Sequence, residues 1–226
     1  MITKITSILF IINFAIYSCE AQQNSSKIAT NMNKLKLIEA VKQNDTTKIS
    51  TFIKQSTIDI NTKDNEGRSL LLIATNHQYY EMTKLLVKNG ADVNKQAKNK
   101  DSAFLYAGAT GQTELVKIFL QYGARFDIYN RYNGTALIPA CERGHIETVR
   151  LLANTKNFPI DHVNRLGWTG LMEAVILGDG STKYQQIIQI LKAAGANMHI
   201  PDLDGMTPLQ HAERRGFTEI VAILKS

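Results

Sequence analysis

Five histidines, His77, His145, His162, His199 and His211, are the side chains that could do acid–base or metal chemistry near neutral pH. His162 and His199 stand in loops one period apart. A pair on adjacent loops could hold a metal, but no further Cys or His stands at ligand spacing to close a site. Glu142 and Glu173 fall within one stretch without an H-E-x-x-H arrangement around them. Gly178-Asp179-Gly180-Ser181 has the composition of a phosphate or calcium loop. It lacks the lysine of a P-loop and the alternating oxygens of an EF-hand, and reads as a turn. No serine has a spaced His and acid that would make a triad, and Cys141 lies in an apolar run with no base beside it, as a buried inert thiol would. No catalytic residue, metal or cofactor is therefore expected, and the chain does not read as an enzyme. What remains is recognition chemistry. Arg131, Tyr132, Glu142, Arg143, Arg165, Trp168 and Glu173 cluster between positions 131 and 173, and Arg, Tyr and Trp are the types that dominate binding hot spots. They are the expected protein-binding residues.

The elements that must hold them are short and repeated. In Asn133–Leu152, Thr135 reads as an N-cap, Ala136–Cys141 as a short helix and Gly144 as a turn residue free to take positive φ. Ile146, Val149, Leu151 and Leu152 then recur at the spacing of a second amphipathic helix. Such a module cannot bury a core alone and has to stack on copies of itself. The copies are phased by an inner-helix alanine at Ala40, Ala74, Ala107, Ala140, Ala174 and Ala212, at intervals of 34, 33, 33, 34 and 38 residues. The capping hydroxyl recurs at Ser69, Ser102, Thr135, Thr169 and Thr207, and the turn residue at Asn44, Gln78, Gly111, Gly144, Gly178 and Gly216. The long fifth interval places an insertion of about five residues around Gly180–Tyr184, between the two helices of that unit.

A 33-residue period, with Asp204–Leu224 similar to a G-x-T-P-L-H start and with NGADVN and AGANMH as closing turns, resembles the ankyrin repeat. The wording around Gly134, Gly167 and Asp204 is similar to bacterial members of that family. The resemblance implies an all-α ankyrin-repeat solenoid of about six helix-turn-helix units with atypical caps, at 33–63, 64–96, 97–129, 130–163, 164–201 and 202–226. It also implies a concave face, formed by loop tips and inner helices, that binds another protein. The partner is unidentified and a monomer is expected. Lys100 stands where the third unit would carry glycine, and Gly134 is displaced by one residue in the fourth, so altered loop tips are expected there. The tips are expected to make the main contacts and the insertion a rim contact.

The first residues carry a different signal. Lys4 followed by the apolar run Ile5–Tyr17 reads as an export signal over 1–18, too short to span a bilayer. Ile16-Tyr17-Ser18-Cys19 resembles a bacterial lipobox, which implies lipidation of Cys19 and membrane attachment only through that anchor; ordinary cleavage after Ala21 is the alternative. Residues 19–33 are polar and aperiodic, as a tether would be, leaving 34–226 as the repeat domain. The expected location is the periplasm or an outer-membrane-anchored lipoprotein of a bacterium. A secreted effector or signalling-type regulator that binds a host or intracellular protein is the alternative. The formal charge of +6 is spread along the chain. Its densest cluster, Lys95, Lys98 and Lys100, lacks the interleaved arginines and aromatics of a nucleic-acid footprint, so no nucleic-acid partner is expected.

Overall fold

The computed structural model describes residues 31–55 and 58–226. The export segment, Cys19 and most of the tether lie outside the described residues. Among the described residues twelve helices follow one another in pairs. α1 runs over residues 31–42 and α2 over Thr46–Lys54. α3 (Leu70–Asn76) pairs with α4 (Tyr80–Lys88), and α5 (Ala103–Ala109) with α6 (Thr113–Gln121). α7 (Leu137–Glu142) pairs with α8 (Ile146–Ala153), and α9 (Gly170–Ile176) with α10 (Thr182–Ala193). α11 (Pro208–Arg214) and α12 (Thr218–Lys225) close the stack. Among the described residues there is no strand, only an isolated bridge between Lys63 and Ser69. No described helix is long and apolar enough to cross a membrane.

The stacking follows from the phased alanines. Ala40, Ala74, Ala107, Ala140, Ala174 and Ala212 are all fully buried, because the inner row α3–α5–α7–α9–α11 packs helix on helix and only a methyl fits between them. The outer row from α2 to α12 packs in the same order. Between the rows lie Leu70, Leu86, Leu105, Leu115, Phe119, Leu137, Leu152, Ile187 and Leu191, one continuous core with no boundary between units. The all-α solenoid is therefore the fold.

Four of the five capping hydroxyls do what their spacing predicts. Ser69, Ser102, Thr169 and Thr207 each accept from the backbone N–H three residues on, a contact worth about 1 kcal/mol per helix. Thr135 does not. It is buried with its hydroxyl unpartnered, and α7 starts two residues later. The late start of α7 traces to Pro139. At the equivalent positions Ile73, Tyr106, Glu173 and His211 donate a backbone N–H to the capping residue's carbonyl, and proline has none to donate.

The fifth unit also corrects the sequence reading. The left-handed turn residue is Gly180, with φ +76°, and not Gly178. Gly178 is buried where a Cβ would run into the Ala174 carbonyl and the Tyr184 ring. Most of the insertion is absorbed as extra helix, since α10 has 12 residues against 8 in α8. Tyr184 lies inside α10, buried, and its hydroxyl donates to the Glu142 carbonyl at 2.8 Å. It is a core contact, not the rim contact expected of it.

Candidate functional site

Loop tips join each outer helix to the next inner one, and a single side chain builds most of them. Asp64, Asn130, Asn164 and Asp202 each accept through Oδ1 from the backbone N–H two and four residues ahead, at 2.9–3.1 Å. These short oxygens mimic a backbone turn and reverse the chain within five residues. The third unit has Ala97 at this position. There the tip is held by Gln96, whose amide donates to the Lys100 and Tyr129 carbonyls, and by Asn99, which donates to Asp101. Sequence reasoning missed these four residues, although Asp or Asn recurs at the repeat interval. These short polar side chains are the scaffold of the tips.

One corner of each tip needs a left-handed residue. Gly67, Gly167 and Gly205 supply it in three units, with φ of 75°, 81° and 78°; Lys100 and Asn133 take the same conformation, at 68° and 59°, in the other two. The altered tips expected in the third and fourth units therefore keep the common backbone. Gly134 is not a displaced corner residue but the next position, lying against the Asn130 side chain that its N–H contacts.

The structure brings Arg131, Tyr132, Glu142 and Arg143 together around one cavity of about 270 Å³ on the inner-helix side, and adds Asp101, Tyr106 and Pro139 to them. The Arg131 guanidinium lies 4.9 Å from the Tyr132 ring centre, over its face. Arg143 reaches back to donate to the Ala109 carbonyl at 2.7 Å, which fixes its direction. Burial pushes the Asp101 carboxyl above its ordinary range, against the opposing pull of Asn99, Arg131 and Arg143. Arg165 sits on the other side of the fourth tip. It lines a second cavity, of about 480 Å³, with Arg131, Lys100, Tyr129 and Asn133, and its backbone N–H donates to the Tyr132 carbonyl at 2.8 Å. Trp168 is half-buried at the base of the fifth tip, where its N–H is held by Asn164.

Glu173 is placed differently from the exposed contact the sequence suggested. It is 6% exposed and accepts from the Asn164 Nδ2 at 2.8 Å, beneath the tip that Asn164 folds. Loss of water and the nearby Glu142 charge push its carboxyl up to about 7, and the Asn164 hydrogen bond and Arg143 only partly oppose this. The next unit repeats the connection at the same separation, with a His211 ring nitrogen 2.6 Å from Asp202 Oδ2. Of the other histidines, His162 stacks on Tyr129 at 4.3 Å and contacts the Asn133 carbonyl, which makes it part of the tip packing. Cys141 is fully buried, and burial raises its thiol well above the ordinary value, so it carries no thiolate.

Comparison with known proteins agrees with this architecture. The family model for ankyrin repeats, described as three copies, matches residues 10–97, 37–130 and 104–202. The ankyrin repeat protein YahD of Escherichia coli strain K12 is 38% identical over 186 residues, covering 82% of this chain and 92% of its own. A crystallised ankyrin repeat domain from Acinetobacter baumannii superposes with a TM-score of 0.81 at 44% identity, covering 84% of this chain and 95% of that one. The ankyrin repeat domain of Bcl-3, a member of the IkappaB family, shares the fold with a TM-score of 0.74 at 24% identity, covering 84% of each chain. This chain belongs to the ankyrin repeat family.

Proposed function

We propose that this ankyrin repeat chain, a protein-interaction module by family, captures its partner on the tips and inner-helix cavity of the third to fifth units, without catalysing a reaction. The observation that carries the proposal is the grouping of Arg131, Tyr132, Glu142 and Arg143 with Asp101 and Tyr106 around one concave cavity. Arg131 and Tyr132 are exposed, and the fold does not need their rings or charges. An exposed tyrosine with a guanidinium on its face is a rigid, amphipathic anchor of the kind interfaces use. The export signal and Cys19 extend the proposal to location: a bacterial envelope protein tethered by residues 19–33.

A photo-crosslinking amino acid at Tyr132, set against one at Lys117 on the outer helix α6, tests the surface in cells. Adducts at 132 and none at 117 are expected; adducts only at 117 would place the partner on the convex face. Arg131→Ala combined with Tyr132→Ala should weaken capture about 30-fold, the equivalent of ~2 kcal/mol, with the melting curve unchanged. For location, Cys19→Ser should move the protein from the membrane fraction to the soluble one. A lipid-free mature N-terminus at Gln22 would show cleavage after Ala21 instead.

A further inference from the structure

We propose that the partner presents an extended acidic segment with a carboxylate at every third residue, bound along the ridge of the third, fourth and fifth tips. This rests on the assignment of those tips as the binding surface, and adds the chemistry that would recognise them.

The tip ridge changes sign along the stack. The second tip exposes Glu66 and the sixth exposes Asp204, while between them the tips expose Lys98 and Lys100, then Arg131, then Arg165. Among the described residues none of these four cations is in an ion pair; the neighbouring acids are already engaged or turned aside. Asp127, the one acid among the described residues lining the cavity under the ridge, is held by both Nε and Nη2 of Arg125 at 2.9 and 2.6 Å. Asp101 lies on the concave side, accepting from Asn99. Lys100, Arg131 and Arg165 therefore converge unpaired on one cavity of about 480 Å³. Lys100 does so from a left-handed conformation that glycine would adopt more easily and that three other tips give to glycine. Exposed apolar surface runs beside the charges, with Tyr132 48% and Leu166 46% exposed.

Spacing fixes the form of the ligand. Stacked helices sit about 8–10 Å apart, so consecutive tips present cations at roughly that interval. A polyproline II segment rises ~3.1 Å per residue with three residues per turn, which places side chains i, i+3 and i+6 on one face about 9 Å apart. Three carboxylates on such a segment meet three cationic tips in register. A longer acidic run would meet Glu66 or Asp204 and be repelled, so the charge pattern also limits length.

The test uses two fluorescein-labelled heptapeptides of one composition, Glu-Pro-Pro-Glu-Pro-Pro-Glu and Glu-Glu-Glu-Pro-Pro-Pro-Pro, and fluorescence anisotropy with the whole chain. The spaced peptide should bind about tenfold tighter than the clustered one, since three exposed pairs contribute modestly each and act together. Lys100→Glu with Arg165→Glu should abolish binding, whereas Lys88→Glu with Lys156→Glu, the same charge change outside the cavities, should alter it less than about twofold. Lys100→Gly keeps the backbone and should weaken binding several-fold with no loss of melting temperature. Equal binding of the two peptides, or equal loss in the two charge-reversed proteins, overturns the proposal. Tyr132 adducts that the spaced peptide competes away support it. Tyr132 adducts that persist under saturating spaced peptide overturn it while leaving the tips as the binding surface. Absence of Tyr132 adducts counts against that surface itself.

Discussion

Glu173 shows how a residue chosen for exposed chemistry can serve an internal purpose. It is buried against Glu142, accepts from Asn164, and through that amide supports the tip that displays Arg165 and Leu166. Its carboxyl has an ordinary value of 4.5 and a folded one of about 7, so between those values the folded chain binds more protons than the unfolded chain. Its contribution to stability is then full below pH ~4.5, falls as pH rises to about 7, and is flat above. Glu173→Gln keeps an acceptor for Asn164 and removes the charge. The variant should exceed wild type by about 1–3 kcal/mol at pH 8 and match it near pH 4.5, as read from urea unfolding at the two pH values. An advantage that does not change with pH would show that the carboxyl is ionised without cost. Asp202 acts in the opposite sense, because its hydrogen bond from His211 holds its carboxyl below the ordinary range and is lost only as acid protonates it.

The inner helices α3, α5, α7, α9 and α11 are too short to persist alone, at six or seven residues each, and tertiary packing supplies their stability. α7 is the weakest of them by its own chemistry, since Pro139 removes the first helical hydrogen bond and Thr135 caps nothing. It depends the more on Leu137, which is fully buried, and on Ala140, which lets α5 and α9 approach on either side. Leu137→Ala should cost about 2–5 kcal/mol by opening a cavity, and Ala140→Leu about 1–3 kcal/mol by overpacking. Both are measured as a shift in urea midpoint at constant slope. Unchanged midpoints for the pair would mean that α7 does not sit between its neighbours as described. The lengthened α10 illustrates the converse. Extra residues were accommodated by prolonging a helix, and of them Tyr184 is buried and reaches back to the Glu142 carbonyl of the preceding unit.

The described helices form a one-dimensional stack in which each unit packs on its neighbours. α12 packs on α10 and α11 with buried Ile220 and Leu224 and turns Thr218, Glu219 and Lys225 to solvent. Ending the chain at residue 201 would remove α11 and α12 and expose the faces of α9 and α10 that pack on them. Nearest-neighbour coupling makes that loss felt throughout. The truncated chain should melt several degrees lower, since each kcal/mol moves a chain of this size by about 2–4 °C, and should scatter light on heating where the full chain does not. Circular dichroism and light scattering on one sample decide it; an unchanged melting curve would show that the sixth unit is dispensable.

The number of units, their phase and the residues of the core are legible in the order of the amino acids alone. Alanine, leucine and glycine at a fixed interval report a steric requirement that every copy must meet, and repetition separates such a requirement from chance. The sequence also singled out Arg131, Tyr132, Arg143 and Arg165, because residues of those types at tip or inner-helix positions have no packing reason to be there. Which of the chosen residues face outward was decided only by the tertiary structure. Trp168 and Glu173 are drawn partly or wholly inside by the Asn164 turn, whose effect depends on an inner helix nine residues away. The left-handed corner at Gly180 in place of Gly178, the late start of α7 and the unpaired state of Lys100 were likewise settled by neighbours in space. A periodic sequence specifies what every repeat shares; where one repeat departs, its conformation depends on the surfaces above and below it.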